Sequence, residues 1–319
     1  MRYQPLGPSG LLVSVVGLGC NNFGGRIGAE QTRAVVDAAI DQGVTLFDTA
    51  DIYGNGGGSE TLLGEALAGR RDEVVLATKF GFQPFDMGYP AAVGAKGSRA
   101  YVRYAVEQSL RRLRTDHIDL YQLHSPDPVT PVAETLAALH ELVLEGKVRY
   151  VGHSNLAGWQ IADAAHVAAD GAWTPFVSAQ NEYSLLERDI EREVIPAVEH
   201  FGLGLLPYFP LARGLLTGKV TREHGIPAGT RLAGSPQLVT EDRLDRVEAL
   251  RAWADEHGRS VLEVAFGGLL GRPSVASVIA GATKAEQVVA NVAAGQWQPT
   301  ADELARIDAI VPGPGGSGH

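Results

Sequence analysis

The chain has 319 residues, of which 45% are apolar and 20% are charged, and its formal net charge is −10. This composition excludes a largely disordered protein, and the acidic excess argues against a nucleic-acid backbone or an anionic membrane as partner. The single cysteine, Cys20, excludes an intramolecular disulfide, and no apolar window predicts a membrane span. We therefore predict a cytoplasmic protein that binds neither membrane nor nucleic acid.

The amino-terminal residues predict a β-hairpin, because two extended runs, 3–6 and 11–16, flank the turn-forming residues 7–10. From there, strands alternate with helices along the chain. We predict strands at residues 15–19, 45–48, 74–77, 118–123, 148–152, 176–180, 203–208 and 277–280. We predict helices at residues 29–42, 59–68, 98–113, 132–145, 159–169, 190–200, 241–257, 261–269 and 284–293.

This alternation predicts an α/β fold with a parallel sheet, and eight strands favour closure as a (β/α)₈ TIM barrel after an N-terminal β-hairpin. The competing fold is a doubly wound sheet with a Gly-x-Gly-x-x-Gly nucleotide loop. Gly17 and Gly19 begin that motif, but Asn22 occupies the third glycine position. We favour a single barrel domain over residues 1–311, with a disordered tail at 312–319, which is rich in Gly and Pro.

Three predicted strands end in side chains that can carry chemistry. Residues 44–54 end in a loop that carries Asp48, Asp51 and Tyr53. The next strand leads to Lys79, and the third leads to His124. Catalytic groups of α/β barrels lie at the carboxyl ends of the strands, so these groups are expected to meet in one cavity. Singly, each is more often a solvated or structural residue, and their combination carries the hypothesis.

A phenol has an unperturbed pKa near 10, so Tyr53 needs a nearby cation to act as a general acid near neutrality. Lys79 offers that cation, Asp48 can hold the lysine protonated, and His124 can orient a carbonyl oxygen. Cys20 lies on the loop after the first strand and is expected to line the pocket without acting as a nucleophile.

Long motifs resemble the aldo-keto reductases over nearly the whole chain. The matching segments include LGPSGLLVSVVGLG, FDTADIYGNGGGSETLLGEAL, DLYQLHSPD, VRYVGHSN, LARGLLTGK and IAGATKAEQVVAN. The resemblance implies a (β/α)₈ barrel that binds a nicotinamide dinucleotide and reduces aldehydes or ketones. It implies Tyr53 as general acid, Lys79 and Asp48 as the pair that tunes it, and His124 as the orienting residue. Histidine rather than glutamate at 124 favours carbonyl over carbon–carbon double-bond reduction.

The same resemblance implies the cofactor contacts. Ser154, Asn155 and Gln180 match the positions that bind the nicotinamide carboxamide, and Tyr208 matches the aromatic that stacks on its ring. The pyrophosphate segment includes Leu211 and Arg213, and the adenosine-phosphate site includes Gly281, Thr283, Lys284, Gln287 and Asn291.

The cofactor segments also depart from the family pattern. Phe209 stands where many relatives have serine, Gln287 where the best-known members have arginine, and Gly281 where they have lysine. Lys284, at the start of a helix, can compensate for the positive charges that Gln287 and Gly281 do not supply. We predict NADP as the cofactor, with NAD possible, and no metal.

Two alternatives to a general carbonyl reductase remain. One is a nucleotide-binding regulatory subunit, as the similar potassium-channel β-subunits are. The other is a pathway-specific reductase of a sugar or sugar-nucleotide carbonyl. Loops 82–97 and 209–239 are expected to select the small-molecule carbonyl substrate, and the sequence does not define the oligomeric state.

Overall fold

A computed structural model of the chain describes residues 1–223, 225–227 and 232–314. Its strands are β1 (Tyr3–Pro5), β2 (Leu12–Ser14), β3 (Val16–Gly19), β4 (Leu46–Asp48), β5 (Val75–Phe80), β6 (Ile118–Leu123), β7 (Val148–Ser154), β8 (Ser178–Gln180), β9 (Gly204–Leu205) and β10 (Val278–Gly281). Its helices are α1 (Ala29–Asp41), α2 (Tyr53–Ala66), α3 (Arg99–Leu113), α4 (Val132–Leu144), α5 (Gly158–Asp170), α6 (Val194–His200), α7 (Glu241–Glu256), α8 (Val261–Leu270), α9 (Ala285–Ala294) and α10 (Ala301–Ile310). Residues 315–319 of the predicted tail lie outside the described residues, as do positions 224 and 228–231 of the second substrate loop.

Eight strands form one parallel sheet in the order β10-β3-β4-β5-β6-β7-β8-β9. Backbone hydrogen bonds also connect the two edges: the Leu205 N–H donates to Ser274, the Ala276 N–H to Leu205, and the Ile279 N–H to Pro207. The sheet is thus curled, with helices between successive strands, and is consistent with a TIM-like barrel. The predicted α/β fold is confirmed.

The N-terminal hairpin, formed by antiparallel β1 and β2, is also confirmed. It lies against the amino-terminal ends of the sheet strands. The Gln4 amide donates to the carbonyl oxygens of Val275 and Ala276 just before β10, at 2.8 and 2.6 Å. The Ser14 hydroxyl accepts from the Thr45 N–H just before β4, at 2.9 Å. Leu6 of the hairpin is fully buried, so the hairpin covers the amino-terminal ends of the sheet strands.

Several elements differ from the sequence predictions. Helix α2 begins at Tyr53 rather than residue 59, and its residues 54–57 all have positive φ angles. The helix predicted at 190–200 is divided into a 3-10 turn, Asp189–Glu191, and α6. Helix α10 was not predicted, although Thr300 and Glu303 form a capping box at its start.

Helices α2 and α3 pack closely at Gly64. A Cβ atom there would lie 2.6 Å from the main-chain carbon and oxygen of Leu113. We expect Gly64→Ala to lower the free energy of unfolding by about 1–3 kcal/mol, because the main chain of α3 would have to move to make room for the added methyl group. Urea denaturation measures the effect, and Gly25→Ala is the control, since no atom lies within 4 Å of its added Cβ. Equal stability of the two variants would contradict this packing.

Candidate active site

A cavity of about 540 Å³ opens at the carboxyl ends of the sheet strands. Its wall includes three of the four predicted catalytic residues, Asp48, Tyr53 and His124. Lys79, the fourth, is fully buried behind the wall and bonded to Asp48. The structure therefore brings the four predicted groups together from three successive strand ends.

Lys79 and Asp48 form a buried ion pair. The Lys79 Nζ donates to Asp48 Oδ2 at 2.6 Å and to the carbonyl oxygen of Thr49 at 2.8 Å. Burial opposes the charged ammonium, but the attraction of Asp48 and then of the Tyr53 side chain outweighs it, so the pKa of Lys79 is raised. Lys79 is therefore a permanent cation, and its Nζ lies 5.0 Å from the centre of the Tyr53 ring.

His124 also lines the cavity and makes an edge-on contact with Tyr53, with ring centres 5.9 Å apart. The ring centre of Phe82 lies 4.8 Å from that of His124. Burial, and secondarily the Lys79 ammonium, hold the pKa of His124 well below its usual range. The imidazole is consequently neutral at physiological pH and can orient a ligand through one N–H donor.

The second oxygen of Asp48 is held by two amides. Asp48 Oδ1 accepts from Gln122 Nε2 at 3.1 Å and from Gln180 Nε2 at 2.9 Å. The two glutamines also bond to each other at 3.2 Å. Gln122 was missed by the sequence reasoning; its one signal is a polar residue in the otherwise mostly apolar strand β6 that precedes His124.

A hydrogen-bond network joins the predicted nicotinamide residues. Tyr208 Oη donates to Asn155 Oδ1 at 2.8 Å, and Asn155 Nδ2 donates to the carbonyl oxygen of His124 at 3.0 Å. Ser154 Oγ donates to the carbonyl oxygen of Gln180 at 2.8 Å. Burial, followed by the nearby Glu182, raises the pKa of Tyr208 to about 12, so the phenol keeps its proton.

The predicted phosphate-binding residues divide into two groups. Leu211 and Arg213 line the cavity, where the Arg213 guanidinium packs 4.2 Å over the Phe209 ring and pairs with Glu182 at 3.5 Å. At the other side, Gln287 Oε1 accepts from the Thr283 N–H at 2.7 Å and from its hydroxyl at 3.1 Å. Gln287 therefore stabilises the turn before α9 through these two hydrogen bonds.

Two predicted cofactor residues do not contribute to the cavity wall. Lys284 is exposed at the N-cap of α9, next to the lining residues Gly281 and Thr283. Asn291 is buried two turns further along the same helix. Only Lys284 is next in sequence to residues that line the cavity.

Cationic side chains dominate the charge of the described cavity wall. Arg26, Arg213 and Lys219 line it, against the single carboxylate of Asp48, which is already paired with Lys79. Lys219 belongs to the segment LARGLLTGK, which the sequence assigned to the pyrophosphate, whereas Arg26 was not singled out. Because the whole chain has a net charge of −10, this local excess favours an anionic ligand in the cavity.

Cys20 also lines the cavity, as expected. Burial, and then the Asp48 carboxylate, raise the pKa of its thiol well above the usual value, so it remains a protonated, unreactive wall residue. Within the described part of the chain, no group of three or more His, Cys, Asp or Glu side chains is placed to hold a metal. Among the described helices, none is long and apolar enough to cross a bilayer.

Comparison with known proteins agrees with this geometry. A family model described as the aldo/keto reductase family matches residues 15–312. The chain is 38% identical to the uncharacterized oxidoreductase YrpG of Bacillus subtilis, over 99% of this chain and 98% of that protein. It is 35% identical to the probable voltage-gated potassium channel subunit beta of Oryza sativa subsp. japonica, over 98% and 97% of the two chains. It is also 35% identical to the L-glyceraldehyde 3-phosphate reductase of Escherichia coli (strain K12), over 97% and 92%. The chain belongs to the aldo/keto reductase family.

Proposed function

We propose that this protein is an NADPH-dependent reductase that converts an aldehyde or ketone to the alcohol in a closed (β/α)₈ barrel. The observation that carries the proposal is the fully buried Lys79–Asp48 pair beside the Tyr53 ring, facing a neutral His124. A permanent cation beside a phenol favours release of the phenolic proton. This arrangement is suited to protonating a carbonyl oxygen.

The cavity residues fit a nicotinamide dinucleotide. The volume of about 540 Å³ lies within the usual range of ligand cavities. Ser154, Asn155 and Gln180 offer hydroxyl and amide groups suited to a carboxamide, and Tyr208 offers an aromatic face beside them. Arg213 and Lys219 supply positive charge for a pyrophosphate. We assign these residues to the cofactor, together with Leu211, Gly281, Thr283, Lys284, Gln287 and Asn291 around the adenosine end.

A bound reduced nicotinamide supplies the hydride that reduces the carbonyl carbon. Tyr53 donates its phenolic proton to the carbonyl oxygen, and the Lys79 ammonium stabilises the resulting phenolate. Asp48 keeps the lysine in place through the 2.6 Å bond. His124 orients the carbonyl oxygen toward Tyr53 through its ring N–H. Catalysis by these residues is therefore positioning and electrostatic stabilisation of a developing alkoxide.

We assign the preference for NADPH over NADH to Lys284. Its exposed ammonium stands at the N-terminus of α9, where a 2′-phosphate gains from both the lysine and the helix dipole. Lys284→Ala should weaken the binding of 2′,5′-ADP about tenfold, corresponding to one charged hydrogen bond, and leave 5′-AMP binding unchanged. Isothermal titration measures both constants. An equal loss for the two nucleotides would contradict the assignment.

The proposed reaction is tested by the loss of reduced-nicotinamide absorbance with a panel of aldehydes, ketones, dicarbonyls and phosphorylated trioses. The trioses are included because the Escherichia coli relative is named for L-glyceraldehyde 3-phosphate. We expect turnover with NADPH to exceed turnover with NADH and to depend on Tyr53. Turnover that persists without the Tyr53 hydroxyl would overturn the assignment of the acid.

A second candidate function is suggested by the 35% identity to the rice protein named as a probable channel β-subunit. In this case, the chain would bind the dinucleotide tightly and signal its redox state to a partner. Cofactor retention through gel filtration, combined with negligible turnover across the panel, would favour this candidate. Rapid turnover with any carbonyl favours the enzyme.

A further inference from the structure

A fully buried carboxyl group lies beneath the loop that carries Tyr53. Asp51 does not line the cavity, its side chain is inaccessible to solvent, and neither carboxyl oxygen has a side-chain hydrogen-bond partner. The main-chain N–H of Ile52 acts on the carboxyl group, but less strongly than burial does. Its main-chain N–H donates to the carbonyl oxygen of Lys79 at 3.1 Å, and the Tyr53 N–H donates to Ala50 at 3.1 Å. Asp51 is thus anchored to the catalytic lysine's own strand, at the base of the Tyr53 turn.

Charged and titratable side chains from several neighbouring elements surround Asp51. Glu60 of α2 is buried, and its two oxygens accept from Thr78 Oγ1 and from Arg112 Nε, each at 2.6 Å. Lys79 of β5 is engaged by Asp48. Three tyrosine hydroxyls are buried near Asp51: Tyr101 of α3 and Tyr121 of β6 have no hydrogen-bond partner, and Tyr89, from the loop before α3, interacts with Arg112.

The charges of this cluster do not balance if every acid is ionised. Among its described side chains, three buried carboxyl groups, Asp48, Asp51 and Glu60, face two cations, Lys79 and Arg112. Each cation already donates to Asp48 or Glu60. An ionised Asp51 would therefore be a buried charge without a bonded counter-ion, which is costly. Burial, and then repulsion by Glu60, raise the pKa of Asp51 to about 8.

We propose that Asp51 is a positioning residue: while its buried carboxyl group is neutral, the Tyr53 turn stays packed against β5, and ionisation at alkaline pH loosens that turn. A neutral acid can donate its O–H and pack among the tyrosine rings, whereas a carboxylate repels Glu60 and draws in water. Only the kinetic measurement below depends on the proposed function. Infrared spectra, thermal unfolding and hydrogen exchange test the inference independently of any turnover.

The protonation state is tested with Asp51→Asn, which is neutral at every pH and nearly the same shape. In protein with ¹³C-labelled aspartate, the infrared band of a protonated carboxyl group should be present at pH 7, be lost as pH passes about 8, and be absent from the variant. Asp37→Asn, on the exposed face of α1, is the matched control and should keep the band. Absence of the band from the unsubstituted protein at pH 7 would overturn the inference.

Thermal unfolding gives a second readout with a defined sign. Folded Asp51 keeps its proton up to about pH 8, whereas the unfolded chain loses it near 3.8. The unfolded state thus binds fewer protons across this window, so the free energy of unfolding falls as pH rises through it. Asp51→Asn lacks this dependence of the free energy of unfolding on pH. The Tm of the variant should therefore exceed that of the unsubstituted protein, by the largest margin at pH 8 and by the smallest near pH 4. An unchanged difference across the window would contradict a neutral Asp51.

The positioning role is tested by hydrogen exchange of the peptides that cover residues 49–53. After correction for intrinsic rates, we expect faster exchange at pH 9 than at pH 7 in the unsubstituted protein, and no such acceleration in Asp51→Asn. Asp51→Ala should exchange faster at both pH values. Exchange that is identical in all three proteins would overturn the positioning role.

In the kinetic measurement, kcat of the unsubstituted enzyme should begin to fall as pH passes about 8, whereas Asp51→Asn should lack this component and lose kcat only through ionisation of Tyr53 itself. The Asn variant should also match the unsubstituted enzyme in kcat at pH 7, while Asp51→Ala should lose kcat with little change in KM for the cofactor. Absence of turnover in every protein would overturn the proposed function, whereas the spectra and exchange would still decide Asp51. The same alkaline fall in Asp51→Asn as in the unsubstituted enzyme would overturn the inference.

Discussion

Replacing Tyr53 with phenylalanine should lower kcat by about 10²–10⁴-fold, the usual contribution of a general acid. The ring remains to pack against His124, whose ring centre is 5.9 Å away, so the shape of the cavity is kept. The dissociation constant of NADPH should therefore stay unchanged. Single-turnover absorbance measures the chemical step, and cofactor fluorescence measures binding.

Tyr104→Phe is the matched control, because Tyr104 lies on α3 and does not line the cavity. It should leave both kcat and cofactor affinity unchanged. If Tyr53→Phe turned over like this control, the proton would have to come from another donor, and the assignment of Tyr53 would be wrong. A loss of cofactor binding in Tyr53→Phe would instead show that the phenol acts mainly in binding.

Replacing Lys79 with methionine should lower the free energy of unfolding by about 3–5 kcal/mol, because it leaves the Asp48 carboxylate buried without its counter-ion. Lys79 is wholly inaccessible to solvent, and only 4% of the Asp48 side chain is exposed, at the cavity wall, so water replaces the lost partner poorly. The same change removes the cation that stabilises the Tyr53 phenolate, so kcat should fall as well. Urea denaturation at pH 7 measures the stability.

The double variant Lys79→Met with Asp48→Asn separates the lost ion pair from the lost packing. It removes both charges and should recover part of the stability, giving an interaction energy in a double-mutant cycle. Lys147→Met, which breaks surface pairs with Glu107 and Glu145, should cost only about 0–1 kcal/mol. A double variant no more stable than Lys79→Met would show that the cost comes from packing rather than charge.

The sheet could be predicted from the sequence because its strands are short apolar runs that end at polar residues. Strand β6 has the predicted bounds, 118–123, and α1 and α3 differ from prediction by one residue at one end. The start of α2 could not be predicted, since residues 54–57 adopt left-handed φ angles that a helical pattern does not reveal. Helix α10 was missed although its capping box is readable in the sequence.

The meeting of the four candidate catalytic groups could be predicted because parallel strands deliver their last residues to the same edge of a sheet; their catalytic roles stay a prediction. The hydrogen bonds that hold these groups from behind could not be predicted, because they join side chains from different strands that meet only inside the fold. Gln122 shows this: its amide bonds Asp48, 74 positions away in sequence. Likewise, nothing in the local sequence distinguishes Asp51, left without a side-chain partner, from Asp48. The predicted cofactor contacts, NADP preference and cytoplasmic location stay predictions.

The hairpin that covers the amino-terminal ends of the sheet strands has a practical consequence. Its contacts with Thr45, Val275 and Ala276 fix the amino-terminal segment on the face opposite the cavity. A tether or fusion partner attached before Met1 would therefore emerge on the far side from the cavity mouth. The protein can be immobilised through this segment on an electrode or bead with the cavity mouth directed toward the solution, so that small molecules exchange freely with the cavity.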